Sequence, residues 1–392
     1  MRPLSKLRVL DFGQGVAGPY CSMLLGDFGA DVIKIEPLRG DWSRSMGTAV
    51  SASESTTYLS VNRNKRSICL DFSKAEARTI ALKLAEMSDV VVESFRPGVM
   101  SRLGLDYERL APSKPALIYC SITGFGSDGP YAQLPAGDST MQAMAGLMSI
   151  VGEADREPVR VGNVVSDMLA GMHGFEAVLL ALIERGSTGR GRKCEVSLFD
   201  TLLAFQAPPL VEYLMTNRLP QRTGGSHPLI TPSGVLRTTD RSVVFTVLGH
   251  QWERFCTFIE VPQLSSDARF ATNEARTANR PELMAIIQEK FSGLSSEDLI
   301  ARLRKADILC APVNSYQDIE ADPHVRHAGS LQNAEHPRLG SIPFVSNPIR
   351  FEGAPHCSTA PPALGEQTFS ILADDLGLSE DQIDGLRSAG AI

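Results

Sequence analysis

The sequence predicts an α/β fold, a parallel sheet covered by helices on both faces, with a smaller α+β domain toward the C-terminal half. Three observations carry this. Apolar β-prone runs alternate with helical stretches through the first 200 residues, proline and glycine crowd the chain after Asp200, and alternating residues resume at Gly234.

Arg8-Val9-Leu10-Asp11-Phe12 reads as a first strand, followed by a glycine-rich turn, a helix over Tyr20 to Phe28 and a second strand, Asp31-Val32-Ile33-Lys34-Ile35. This β-α-β order demands a parallel pair. In the next cycle Ala77, Ile80, Ala81 and Leu84 recur at helical spacing before the strand Val90-Val91-Val92. A further strand over Ala116 to Ile122 runs into the turn Thr123 to Pro130. A long helix is expected over Asn163 to Glu184, then a strand over Arg192 to Leu198. These elements make a Rossmann-like domain over residues 1–200. Residues 201–224 form a proline-rich linker, and a hairpin over Gly234 to Val247 with helices from His250 to about Lys305 places the smaller domain at about 225–325. The remainder, 326–392, holds an extended tail, Pro343 to Pro362, and a short helix capped by Ser379.

With 392 residues and 43% hydrophobic content, the chain can bury substantial cores. Its net charge of −7 offers no positive field for nucleic acid or an anionic membrane, so an anionic ligand must be met by a local cluster. The apolar run from Leu169 to Ile183 is interrupted by His173 and Glu176, short of the ~20 residues that cross a bilayer, and reads as a buried helix. The seven cysteines, Cys21, Cys69, Cys120, Cys194, Cys256, Cys310 and Cys357, are scattered with no C-x-x-C spacing, as expected for reduced thiols in the cytoplasm. Nothing in the pattern calls for a metal.

Two features point to chemistry. Gly13-Gln14-Gly15-Val16-Ala17-Gly18 fits G-x-G-x-x-G after a strand, with Glu36 ending the next strand where a ribose-binding acid would stand. That pattern suggests an NAD-dependent oxidoreductase, but free amides at a helix start favour any anion. The second feature is Asp167, near the start of the long helix, where the helix dipole would hold its carboxylate ionised. Ala170, Gly171 and Gly174 follow on the same face, so a substrate or a second backbone can approach closely there.

The residues also carry a resemblance. Val9-Leu10-Asp11-Phe12 with Gly18-Pro19, Asp31 to Glu36, Asn62 to Ser67, Phe95-Arg96-Pro97-Gly98, Ser121 to Gly126, Gly189-Arg190-Gly191 with Glu195 to Asp200, and Ala321-Asp322-Pro323-His324 occur in the order seen in class III CoA-transferases of the CaiB/BaiF type. The chain resembles that family over nearly its whole length. The resemblance implies a catalytic aspartate at Asp167 that forms mixed anhydrides and an aspartyl-CoA thioester while coenzyme A passes between carboxylic acids. It implies a CoA site at Asn64, Lys65, Arg66 and Ser67, then Ser94, Phe95 and Arg102, with Arg39 beside them. It further implies a homodimer of interlocked rings, each with its large domain built from both chain ends.

A glycine-rich loop covers the site in family members, and the nearest match is Gly224-Gly225-Ser226-His227, shorter than the glycine run of formyl-CoA transferases. Val16 stands where formyl-CoA:oxalate transferases carry glutamine, which argues against oxalate. Small dicarboxylates such as succinate, malate, itaconate, mesaconate or glutarate are the expected substrates, with Arg44, Ser45, Tyr58 and His227 as candidate partners for a distal carboxylate. α-Methylacyl-CoA racemases, a second branch, pair the aspartate with a histidine that falls on Gly137 here, so one of the two acid/base groups racemisation needs is missing.

Overall fold

A computed structural model describes residues 2–352 and 358–392. It divides into two compact units, the first comprising residues 1–145, 162–210 and 324–392, the second 146–161 and 211–323. The stretch 146–161, expected in the large domain, thus falls in the second unit. Cys357 and part of the proline-rich tail lie outside the described residues.

The first unit is built on six parallel strands: β1 (Arg8–Asp11), β2 (Asp31–Glu36), β3 (Lys65–Cys69), β4 (Val90–Glu93), β5 (Ile118–Thr123) and β6 (Lys193–Ser197). Their order is β3-β2-β1-β4-β5-β6. The chain leaves β1 toward one edge, then returns to lay β4 on its other side, so the order reverses between β1 and β4. In an open α/β sheet that reversal opens a crevice at the carboxyl ends of the strands. Strand β3 was not foreseen, because Lys65-Arg66-Ser67-Ile68-Cys69 lacks the apolar run of its neighbours.

One face of the sheet is covered by the Ala75–Met87 helix, whose Ala77, Ile80, Ala81 and Leu84 are buried as their spacing requires, and by Ile371, Leu372 and Ile383 from the C-terminal segment. That segment is also tied by charge. Asp375 bridges Arg8 at 2.8 Å and Arg66 at 2.6 Å. The other face takes the Ala17–Asp27 helix and the Val165–Thr188 helix, which pack on each other. The long helix is amphipathic in use: Ala170, Gly171, Gly174, Phe175, Val178 and Ala181 are buried, whereas Leu180 and Ile183 are 68% and 73% exposed.

The second unit holds an antiparallel sheet of β7 (Ser233–Arg237), β8 (Ser242–Thr246) and β9 (Leu309–Pro312). Helices Trp252–Phe258, Arg280–Phe291 and Ser296–Lys305 contribute to its own core around Phe255, Leu283, Ile287 and Leu299. In the first unit, β10 (Leu331–His336) and β11 (Gly340–Val345) form a hairpin that the polar sequence at Leu331-Gln332-Asn333 concealed.

The polar interior of the first unit is dense with charge. Lys34 Nζ lies 2.8 Å from Asp41 and donates to the Gly13 carbonyl at 2.7 Å, all with no exposure at either side chain of the pair. Lys65 Nζ meets Asp11 at 2.9 Å, the Pro19 carbonyl and Asn62 Oδ1, again fully buried. Burial alone would raise the Asp11 and Asp41 carboxyls, but the two ammonium groups hold both below the ordinary range. Removing one member of such a buried pair strands the other charge, which costs about 3–5 kcal/mol. Lys34→Met is therefore expected to lower stability by about that amount in urea denaturation followed by circular dichroism. A loss under about 1 kcal/mol would show that the ammonium is dispensable.

Candidate active site

The turns that leave β1 and β4 meet at the strand-order reversal. The Gln14 amide donates to Ser94 Oγ at 3.2 Å, and a Cβ on Gly18 would lie 3.0 Å from the same oxygen. The flanking amides are also engaged: Gly13 donates to Asp11 Oδ1 at 2.8 Å and Gly15 to Asp41 Oδ1 at 2.9 Å. The glycine turn therefore does not present these three amides to an anion, contrary to the sequence reading. Side-chain acceptors from β1, from the loop after β2 and from the loop after β4 have already satisfied them. Its glycines serve close packing instead. Gly15, at φ +79°, lies directly under the Trp42 indole, which fills the place a side chain would need.

Glu36 is likewise unavailable to a ribose. It accepts two 2.7 Å hydrogen bonds from Arg44, one from Ser67 Oγ and one from the Asp41 amide. Burial would raise this carboxyl, yet the Arg44 guanidinium and the Lys34 ammonium keep it below its ordinary value.

Asp167 stands in the first turn of the Val165–Thr188 helix. One turn on, a Cβ at Gly171 would come within 2.7 Å of the Ala17 carbonyl, so the helix presses on the residue that closes the glycine turn. Of the two openings the small residues offered, it is a second backbone that uses this one. Two turns on, Gly174 lies over Ile122 and the Cys21 and Cys120 thiols. The residue is half-buried, and this desolvation, reinforced by the nearby Asp138 carboxylate, pushes its pKa up to about 7. The sequence reading expected the helix dipole to hold it ionised. The dipole offers ~0.3–1 kcal/mol, less than one pKa unit, and desolvation outweighs it.

Asp138 opens the Asp138–Met144 helix and ties it to the long helix: it accepts from the Ser166 amide at 3.0 Å, the Ser166 hydroxyl at 2.9 Å and Gln142 Nε2 at 2.7 Å. Ser166 adjoins Asp167, so this clamp fixes the start of the helix that carries Asp167. The arrangement is a shielded carboxyl with near-neutral pKa, one helical turn from a rigid crevice, suited to attack on an activated carbonyl.

The model of CoA-transferase family III matches residues 4–368. The chain belongs to CoA-transferase family III. It is 33% identical over 395 residues to a succinyl-CoA:glutarate CoA-transferase of Homo sapiens, covering 100% of this chain and 90% of the relative. It is 36% identical to a succinate–glutarate CoA-transferase of Agrobacterium fabrum, covering 95% of each. A CaiB/BaiF family protein from Brucella suis superposes with a TM-score of 0.84 at 36% identity, over 95% of this chain and 99% of that one. The chain is thus a CoA-transferase, and the oxidoreductase reading of the glycine turn falls.

Within this family III chain, the residues expected to hold CoA separate into two groups. Lys65 is sealed and its three donors are engaged as described, with burial pulling its pKa down to about 8. Arg66 is held by Asp31 and Asp375, Ser67 by Glu36, and Asn64 by Asp27 and the Thr359 amide. These four are parts of the frame, because each sits on or beside β3 facing acidic partners that the fold supplies. By contrast Arg39 and Arg102 are exposed and make no ion pair among the described residues. Ser94 and Phe95 line the turn after β4, with the Phe95 amide on Glu93 at 2.8 Å.

Arg44 and Tyr58, considered for a substrate carboxylate, are buried together. The guanidinium sits 3.6 Å over the phenol ring, on Glu36, and donates to the phenol oxygen at 2.6 Å, which leaves neither group for a ligand. Ser45 Oγ bonds the Trp42 carbonyl, and Val16 is buried. Gly224, Gly225 and His227 lie in the second unit: the Gly224 amide donates to the Gly152 carbonyl at 2.9 Å, Gly225 abuts Val235, and His227 Nδ1 accepts from the Leu229 and Ile230 amides. His173, six residues beyond Asp167, pairs with Glu176 at 2.9 Å, away from the carboxyl's helix face, and does not replace the base missing at Gly137. Asp138 and Trp42 were missed. An acid directly after Gly137 at a helix start was a usable signal for the first, and an indole in a charged loop for the second.

The raised pKa has a stability consequence. Below the unfolded value near 4 the Asp167 carboxyl is neutral in both states. As pH rises toward about 7 the unfolded side chain ionises freely while the native one resists, so the native state loses stability relative to an amide, and the loss levels off above about 7. The melting temperature of Asp167→Asn minus that of the native chain should therefore widen between pH 5 and pH 8. A difference that stays flat would place the carboxyl in water.

Proposed function

We propose that this enzyme carries CoA from succinyl-CoA to a small dicarboxylic acid, glutarate foremost, through covalent intermediates on Asp167. Malate, itaconate and mesaconate are the competing acceptors. The observation that carries the reading is the position and pKa of Asp167: at about 7 a substantial share is carboxylate at neutral pH, and that carboxylate is more basic, hence more nucleophilic, than an unshifted one. The names of the relatives that match the whole chain supply the substrate class.

In the first step a carboxylate oxygen of Asp167 attacks the thioester carbonyl, the C–S bond breaks, and CoA leaves as thiolate from a mixed anhydride. The thiolate attacks the aspartyl carbonyl, releasing succinate and leaving an aspartyl-CoA thioester. The acceptor carboxylate attacks that carbonyl and expels the thiolate, which then takes the new acyl group and restores Asp167. No water is consumed, and partial burial of Asp167 favours exclusion of the hydrolysis that would waste each intermediate. Arg39, Ser94, Phe95 and Arg102 are the proposed CoA contacts, the two arginines suiting phosphate oxygens. Homodimerisation belongs to the same reading and draws support from Leu180 and Ile183, exposed on the outer face of the long helix.

Incubation with succinyl-CoA and hydroxylamine should convert Asp167 to a hydroxamate, seen as a mass shift on its peptide, and Asp167→Asn should lose at least 10³-fold in kcat. Because the attacking form is the anion, kcat/KM should rise with pH and level off above about 7. Native turnover by Asp167→Asn would overturn the mechanism. Light scattering at micromolar concentration should give a dimer mass, and a monomer would remove that part of the proposal.

A further inference from the structure

Trp42 is held in an unusual way. The residue before it, Asp41, is fully buried: Oδ1 accepts from Gly15 N at 2.9 Å and Ser43 N at 2.8 Å, and Oδ2 pairs with Lys34 at 2.8 Å. Two residues after it, Arg44 makes its paired 2.7 Å bonds to Glu36. Buried ion pairs thus anchor the backbone on both sides of the indole, yet the side chain remains 53% exposed. The ring lies on Gly15, in the turn that leaves β1 at the strand-order reversal. That turn is bonded to Ser94 through Gln14 and pressed by the Asp167 helix at Ala17. Leu38, Met46 and Val50 expose further apolar surface on the same segment, and Arg39 offers a cation there.

An indole fixed by a rigid frame, half in solvent and lying on the turn at the strand-order reversal, where open α/β sheets take their ligands, is built for an extended ligand with apolar reach. We infer that Trp42 is the wall against which the pantetheine thioester arm of the acyl-CoA packs, and that it sets the enzyme's affinity for the thioester. The inference rests on the CoA-transfer reading and adds a specificity residue to it.

Trp42 and Trp252 are the two tryptophans of the chain, and Trp252 is buried in the core of the second unit. A Trp252→Phe protein therefore reports on Trp42 alone. Its emission should change on titration with succinyl-CoA and with free CoA, a response to succinyl-CoA alone placing the contact at the acyl end of the arm. If Trp252→Phe does not fold, the difference between the native chain and Trp42→Phe gives the same reading. Trp42→Ala should raise KM for succinyl-CoA about tenfold or more with a smaller change in kcat, and Trp42→Phe should recover most of it. An emission indifferent to both ligands at concentrations that support turnover, or a native KM in Trp42→Ala, overturns the inference. So does an emission that follows protein concentration but ignores ligand, since the ring would then meet another chain. Absence of CoA exchange by the native chain would instead sink the proposed function, while the titration would still report on the contact.

Discussion

The first unit depends on keeping six charged side chains ionised where water is scarce. They form three pairs of opposite charge, Asp11 with Lys65, Lys34 with Asp41 and Glu36 with Arg44, so each charge stranded by the fold finds its opposite within hydrogen-bond reach. Such pairs add little net stability over well-packed apolar residues, because desolvation consumes the attraction. What they add here is geometry. Asp41 fixes Gly15, Asp11 fixes Gly13, and Lys34 holds the carbonyl of Gly13. A turn that would otherwise be the softest part of the sheet edge has its amides and a carbonyl fastened to buried ions.

Rigidity there is what the proposed role of Asp167 requires nearby. Asp167 sits in a first helical turn, where the dipole favours the anion, and in partial burial beside Asp138, which favours the acid. The second influence prevails, and it leaves the side chain poised between forms at neutral pH. The charge pairs of the frame and the acid at the head of the long helix, which has no ion pair among the described residues, are opposite solutions to the same dielectric, one holding carboxyls ionised and the other raising the pKa.

The sequence made the sheet legible wherever a strand was a plain apolar run, as in β1, β2, β4 and β5. It hid β3, whose Lys65 and Arg66 looked like ligands for phosphate because nothing local reveals that Asp11, Asp31 and Asp375 await them from 54, 35 and 309 residues away. Sequence distance also disguised Arg44, which looked free until Glu36 and Tyr58 closed around it. Charged residues inside strands, Asp11 and Lys34 above all, were the clue that an ionic interior existed. Asp167 was identifiable through family resemblance, but its raised pKa was not, since desolvation belongs to the packed state and helix position to the chain.

The glycines of the long helix leave that carboxyl's placement dependent on things far from it. At Gly174 a Cβ would meet Ile122 at 2.8 Å and the Cys21 thiol at 3.2 Å, so helix and sheet touch with no padding between them. A spacer of that thinness transmits displacement instead of absorbing it. Bulk added at Cys21, Ile122 or Cys120 would lever the Asp167 carboxyl off its station. Over evolutionary time the volumes of those three side chains should drift together, as a set, or not at all.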